Sequence, residues 1–203
     1  LSLHDALPIS ILLIMKIILE NVEKRFNKEW VFRKLNLEFV LNRTYAVIGP
    51  NGSGKSTLLK IIAGIISPTG GKISWYSNSD DTNIFVEDIY KYLSLSAPWL
   101  ELIEEFTLTE TLKFHQKFKP FKAGINTNNI IEMLSLRKTK YKPVKYFSSG
   151  MKQRLKLALA LFSNAPILLL DEPTSNLDKN GRKWYHDELI KNRENKIVII
   201  CSN

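Results

Sequence analysis

Apolar residues recur along this chain in two rhythms. Short runs of strand character cover 17–22, 31–40, 43–48, 72–76 and 89–95, the second with partial alternation. The third run ends at Gly49. Two further runs, 167–170 and 196–201, are wholly apolar at their centres, as buried strands are, and the first ends in Asp171. Helical spacing marks 55–66, where Leu58, Leu59, Ile61, Ile62 and Ile65 crowd one broad face, and 150–163, with Leu155, Ala158, Leu159 and Phe162. The stretch 108–135 and residues 182–191 are also helical in pattern. Strands alternating with helices predict an α/β fold, a mostly parallel sheet covered on both faces. The early strands add an antiparallel β edge. The helical stretch about 97–163, lying between two strand regions, reads as an inserted subdomain.

Composition narrows the class. The chain has 203 residues, 44% hydrophobic and 24% charged, which suits one globular domain and excludes a disordered chain. Cys201 is the one cysteine, so no intrachain disulfide forms, and a reducing compartment fits. The net charge of +9 is spread along the chain and reads chiefly as a solvated lysine-rich surface. Its densest stretch, Arg137, Lys138, Lys140, Lys142 and Lys145, suits phosphates or lipid headgroups and carries nothing that reads bases. His4, His115, His186 and Cys201 show no metal-ligand spacing. The most apolar run, 9–19, is broken by Ser10 and Lys16 and falls short of the ~20 residues a spanning helix needs. Residues 1–14 are expected to be a non-native extension before a start at Met15. The stop at Asn203, straight after an apolar run, predicts a truncated C-terminus.

Two motifs carry the chemistry. Gly49-Pro50-Asn51-Gly52-Ser53-Gly54-Lys55-Ser56-Thr57 fits the full G-x-x-x-x-G-K-[ST] phosphate loop, with a strand before it and a helix after it. Its glycines let backbone N–H groups approach phosphate oxygens, and the helix start offers free N–H groups and a positive dipole end. Lys55 is expected at the β- and γ-phosphates and Ser56 on Mg²⁺. The second motif is the apolar strand 167–170 delivering Asp171 and Glu172 at its C-terminal end, where open α/β sheets bind ligands. Asp171 is expected to hold Mg²⁺, directly or through water, and Glu172 to orient and deprotonate the attacking water.

With these residues the chain resembles the ABC ATPases, from about Met15 to Asn203. The segment 147–155, Phe-Ser-Ser-Gly-Met-Lys-Gln-Arg-Leu, looks like the family signature, and Ser175-Asn176-Leu177-Asp178 looks like the loop that communicates between nucleotide sites. The resemblance implies a P-loop NTPase core that hydrolyses ATP with Mg²⁺. It also implies a head-to-tail homodimer or heterodimer in which Ser148, Ser149 and Gly150 meet the γ-phosphate of ATP bound to the other subunit. Phe26 falls where the family places an aromatic on adenine; core packing is the competing reading. The implied setting is cytoplasmic, peripheral on the inner face of the cell membrane, bound to transmembrane permease subunits. No nucleic-acid partner is expected.

The departures fall at three places. Ser96 stands where the family usually has a Gln that senses Mg²⁺, and is too short to span that gap without a water. Ser149 and Met151 replace a usual Gly and Gln. Asn203 aligns with the switch His and can hydrogen-bond a γ-phosphate or Glu172 but carries no proton charge. With Lys55, Asp171 and Glu172 intact, slow but real hydrolysis is expected. Trp99, Leu100, Leu102 and Ile103 form an apolar segment that reads either as a surface for a partner's short helix or as core. The alternatives to a transporter motor are a soluble ABC ATPase acting on nucleic acid or ribosomes, and a slow regulatory ATP-binding subunit.

Overall fold

The computed structural model describes residues 15–77 and 82–203. The extension expected at 1–14 lies outside them. Two four-stranded sheets organise the chain. The first is antiparallel, in the order β2-β1-β4-β5, from β1 (Met15–Phe26), β2 (Glu29–Val40), β4 (Gly70–Ser77) and β5 (Thr82–Ile84). The second is parallel, in the order β3-β8-β7-β6, from β3 (Arg43–Ile48), β6 (Leu93–Ser96), β7 (Ile167–Asp171) and β8 (Ile197–Ser202). The antiparallel part is therefore a sheet in its own right, larger than an edge.

The parallel sheet is filled from both sides, which is why its central strands read as unbroken apolar runs. On β7, Leu168 and Leu170 enter one core, with the helices of 108–161; Ile167 and Leu169 enter the other, with α1 (Lys55–Ile62) and the antiparallel sheet. β8 divides in the same way, Val198 to the first core and Ile197, Ile199 and Cys201 to the second.

α1 stops at Ile62, short of the expected 66. Gly64 adopts φ 70, its N–H donates to Ile61 O, and Ile65 N–H reaches back to Lys60 O, so the chain turns out of the helix. Ile65 is consequently exposed and does not join the face expected of it. The buried Trp75 of β4 donates its indole N–H to Ile62 O at 3.0 Å, satisfying a carbonyl that the helix end leaves open. The helical pattern of 108–135 is two helices, α2 (Leu108–Phe118) and α3 (Thr127–Met133), separated where Pro120 and Gly124 interrupt it. Each opens on a reciprocal capping box, Thr107 with Glu110 and Asn126 with Asn129. The strand expected at 89–95 begins only at Leu93. Ile89–Lys91 is a 3₁₀ turn, held by Lys91 N–H on Asp88 O and by Lys91 Nζ on Asp88 Oδ1.

α4 (Ser149–Leu161) does double duty. It contributes Leu155, Leu157, Ala158 and Leu161 to the core that also holds α2 and α3, and it packs on β6, β7 and α5 (Lys179–Asn192). The segment 147–155, which resembles a family signature, thus leads into a helix seated directly on the parallel sheet.

Candidate functional site

The C-terminal ends of β3, β7 and β8 converge on the start of α1. Parallel pairing sets Ile48 beside Ser202 and Asp171 beside Cys201, so the phosphate loop, the acidic pair and Asn203 leave the sheet at one level. Gly54 caps α1 with φ 95, a conformation costly for any residue with a Cβ. A Cβ there would also stand 2.5 Å from Val31 Cγ1 of β2. The loop is therefore pressed against the antiparallel sheet through a residue that must be glycine.

Lys55 is only 8% exposed, and its ammonium points into its own loop. It donates to Gly49 O at 2.5 Å, Pro50 O at 3.1 Å and Asn203 Oδ1 at 2.7 Å, and lies 3.9 Å from Glu172 Oε1. Asn203 in turn donates Nδ2–H to Asn51 Oδ1 at 3.0 Å. Glu172 has φ 45, rare for a residue with a side chain, and its N–H is held by Cys201 O at 2.9 Å. Burial, and then the Asp171 charge, push the Cys201 thiol up to about 12, so it stays a neutral packing group. Phe26, half exposed, with Val31, Asn51, Gly52, Gly54, Lys55, Ser56, Thr57 and Glu172, lines a cavity of ≈ 260 Å³.

Three buried oxygens at these strand ends make no hydrogen bond to the protein. Asp171 is 1% exposed, yet its Oδ1 makes no hydrogen bond, and neither does Ser96 Oγ or Glu172 Oε1. Orphaned buried carboxylate and hydroxyl oxygens beside a phosphate loop suit Mg²⁺. Among the described residues no three His, Cys, Asp or Glu side chains form a metal cage, so such an ion would rely on nucleotide phosphates and water for its remaining ligands.

Ser148 and Ser149 are exposed, and the Ser148 hydroxyl accepts from Met151 N–H at 3.3 Å, capping α4. Behind them Gly150 allows a close approach: a Cβ there would lie 3.1 Å from Asn176 O. A second cavity, ≈ 460 Å³, lies between residues 98–104, α4 and Ser175–Asn176, with Glu101, Leu102, Lys152 and Lys156 on its walls. Ile103 is exposed, whereas Leu102 packs on the core, so the apolar segment 99–103 divides between the two readings.

Three connections were not foreseen from sequence. Gln153, buried in α4, donates to Pro173 O at 3.0 Å and ties α4 to the acidic strand's exit. Asp178, read as part of a communicating loop, caps α5 through Gly181 N–H at 2.7 Å, and an Asp just before a helical pattern was the available signal. Trp99 donates its indole N–H to Asp171 Oδ2 at 3.2 Å. No local pattern announces that contact, because it joins residues 72 positions apart.

Comparison with known proteins matches this arrangement. The family model described as ABC transporter matches residues 32–175. The chain is 34% identical to a lantibiotic transport ATP-binding protein of Streptococcus pyogenes, an alignment covering 91% of this chain and 78% of that one. It is 35% identical to ABC transporter A family member 4 of Dictyostelium discoideum over 83% of this chain but 11% of that protein. Among solved structures, an ATP-binding cassette captured as a dimer in a post-hydrolysis state with ADP and Pi bound superposes with TM-score 0.74 at 25% identity, covering 91% of this chain and 86% of that one. The chain therefore belongs to the ABC transporter family, as an ATP-binding, ATP-hydrolysing domain.

Proposed function

We propose that this chain is the motor subunit of an ABC membrane transporter, hydrolysing ATP to ADP and phosphate to drive transport through separate transmembrane subunits. The observation that carries the reading is its match over most of the length of a transport ATP-binding protein, with the phosphate loop and both acidic residues of a hydrolytic site brought together. No helix among the described residues is long and apolar enough to cross a membrane, so a membrane path has to come from other segments or chains. The chain would act at the inner face of the cell membrane, in the cytoplasm, bound to permease subunits. A permease segment would enter the ≈ 460 Å³ cavity beside residues 98–104.

In the proposed site, Phe26 supports adenine, and backbone N–H groups of the loop 49–57, Pro50 having none, face the phosphates. Lys55 exchanges its bonds to Gly49 O, Pro50 O and Asn203 for β- and γ-phosphate oxygens. Ser56 and Asp171 would hold Mg²⁺, with Ser96 able to reach it only through water. Bound there, Mg²⁺ supplies charge neutralisation at the phosphate oxygens. Glu172 orients the attacking water and takes its proton; Asn203, released by Lys55, donates to the γ-phosphate. Ser148, Ser149 and Gly150 serve the ATP of a second ATPase subunit, alike or different, whose phosphate loop faces them.

Affinity purification from gently solubilised membranes tests the reading. Stoichiometric recovery of a polytopic membrane protein with the chain is the expected result. Recovery with ribosomes, with nucleic acid or with no partner would refute the transporter role and leave the ATPase assignment standing.

A further inference from the structure

Asp171 is the buried carboxylate of the site, and its two oxygens are not equivalent. Oδ2 accepts the Trp99 indole N–H at 3.2 Å, whereas Oδ1 has no hydrogen-bond partner. A carboxylate's terminal torsion is broad and roughly two-fold, so rotamer preference alone does not select which oxygen faces the ligand. An indole N–H is a donor only and recognises one acceptor oxygen at a time. The donor is itself held: Lys60 of α1 stands over the Trp99 ring, its Nζ 4.5 Å from the centroid. Trp99 leaves the sheet three residues after Ser96, and β6 pairs with β7 so that Ser96 lies beside Leu170, one residue before Asp171. Ser96 Oγ makes no hydrogen bond to the protein at all. Of the loop that follows β6, Trp99 is therefore the side chain that reaches the acidic strand.

We propose that Trp99 is a positioning residue for Asp171: its indole N–H fixes Oδ2 and leaves Oδ1 as the one oxygen turned to the bound cation. The proposal rests on the Mg²⁺ role assigned to Asp171 above. It gives this chain a positioning contact made by an aromatic side chain, from the loop whose usual Gln is replaced by Ser96. Without the indole the carboxylate turns freely, and part of the affinity for the cation goes to ordering it.

The test has one readout with no metal or nucleotide present. In ¹⁵N-labelled full chain, the four tryptophans give four indole N–H signals, and Trp99→Phe identifies one by its loss. That signal is expected downfield, as a carboxylate-bonded N–H is, and Asp171→Ala is expected to move it to the free-indole position. The signal of Trp75, bonded to a backbone carbonyl, should stay in place. The second readout is ATP hydrolysis titrated with Mg²⁺. Half-saturation is expected to rise about tenfold in Trp99→Phe, the size of one lost hydrogen bond to a charged acceptor, and the deficit to narrow as Mg²⁺ is raised. Trp99→Tyr, which keeps a ring beneath Lys60 but no donor at that place, repeats both measurements if the Phe variant does not fold.

A Trp99 signal unmoved by Asp171→Ala overturns the proposal. So does an unchanged half-saturation in a protein whose hydrolysis responds to Mg²⁺. Hydrolysis indifferent to Mg²⁺ in the parent chain instead refutes the metal role of Asp171; the indole–carboxylate bond is then decided by the metal-free spectrum.

Discussion

Replacing Lys196 should change how stability depends on pH, with a sign fixed by its surroundings. Lys196 precedes β8, is 3% exposed, and donates to Ser163 O at 2.9 Å. Burial, and then the charge of Lys122, lower its pKa from 10.5 to about 7. Around it, Lys122 is bonded to Asn192 and feels Glu194, and His115 is bonded to the Ser163 hydroxyl. Between pH 7 and 10.5 the unfolded chain holds a proton that the folded chain lacks, so stability rises with pH across that window. The stabilisation is complete above 10.5 and is lost as pH falls through about 7. A shift of this size corresponds to about 5 kcal/mol as an upper bound, before relaxation and water entry reduce it. Lys196→Met removes the charge and one of the two donors to Ser163 O, the Ala165 N–H at 3.0 Å remaining, a loss of about 1 kcal/mol. Urea unfolding followed by circular dichroism at pH 6, 8 and 10 should find the Met variant the more stable at pH 6. The gap should close with rising pH and reverse near pH 10. A difference that stays constant from pH 6 to 10 would refute the assignment of a depressed lysine at this place.

Other outcomes follow from the same geometry. His115 is held neutral by burial, and then by Lys119, with its pKa lowered from 6.5 to about 4, so stability is expected to fall as pH drops from 6.5 to 4. Thermal melts of His115→Phe should be flatter than the parent's over that range. Gly54→Ala places a methyl 2.5 Å from Val31 Cγ1 at a left-handed φ, and should cost about 2–4 kcal/mol in chemical unfolding, with weaker ATP binding by calorimetry. Glu172→Gln keeps the phosphate loop intact and should reduce phosphate release by about 10²- to 10⁴-fold while ATP still binds. Equal loss of binding and turnover would contradict a role confined to the attacking water.

Legibility in the sequence followed locality. The phosphate loop and β7 rest on neighbouring residues, so spacing alone exposes them; the capping boxes that open α2 and α3 are equally local but lie hidden in one long helical pattern. The end of α1 is also local, but an apolar Ile65 at helical spacing masks the stop that Gly64 sets. The split of 108–135 is masked in the same way, by periodicity that runs across Pro120 and Gly124. At 89–91 an apolar and aromatic run outweighed Asp88, whose bonds to Lys91 close the turn. What no window could contain are the long-range contacts: Lys55 with Asn203, Gln153 with Pro173, Trp99 with Asp171. They depend on the order β3-β8-β7-β6, which brings distant strand ends side by side.

The two full faces of β7 have a mechanical consequence. A strand clamped by tight packing above and below cannot slide or roll without opening a void on one side and a clash on the other. Asp171 is thus a fixed reference, like the anvil of a press. Whatever travels during a catalytic cycle must be the parts that close upon it: the loops, the Lys55 ammonium and, in the proposed pairing of two ATPase subunits, the second subunit as a body.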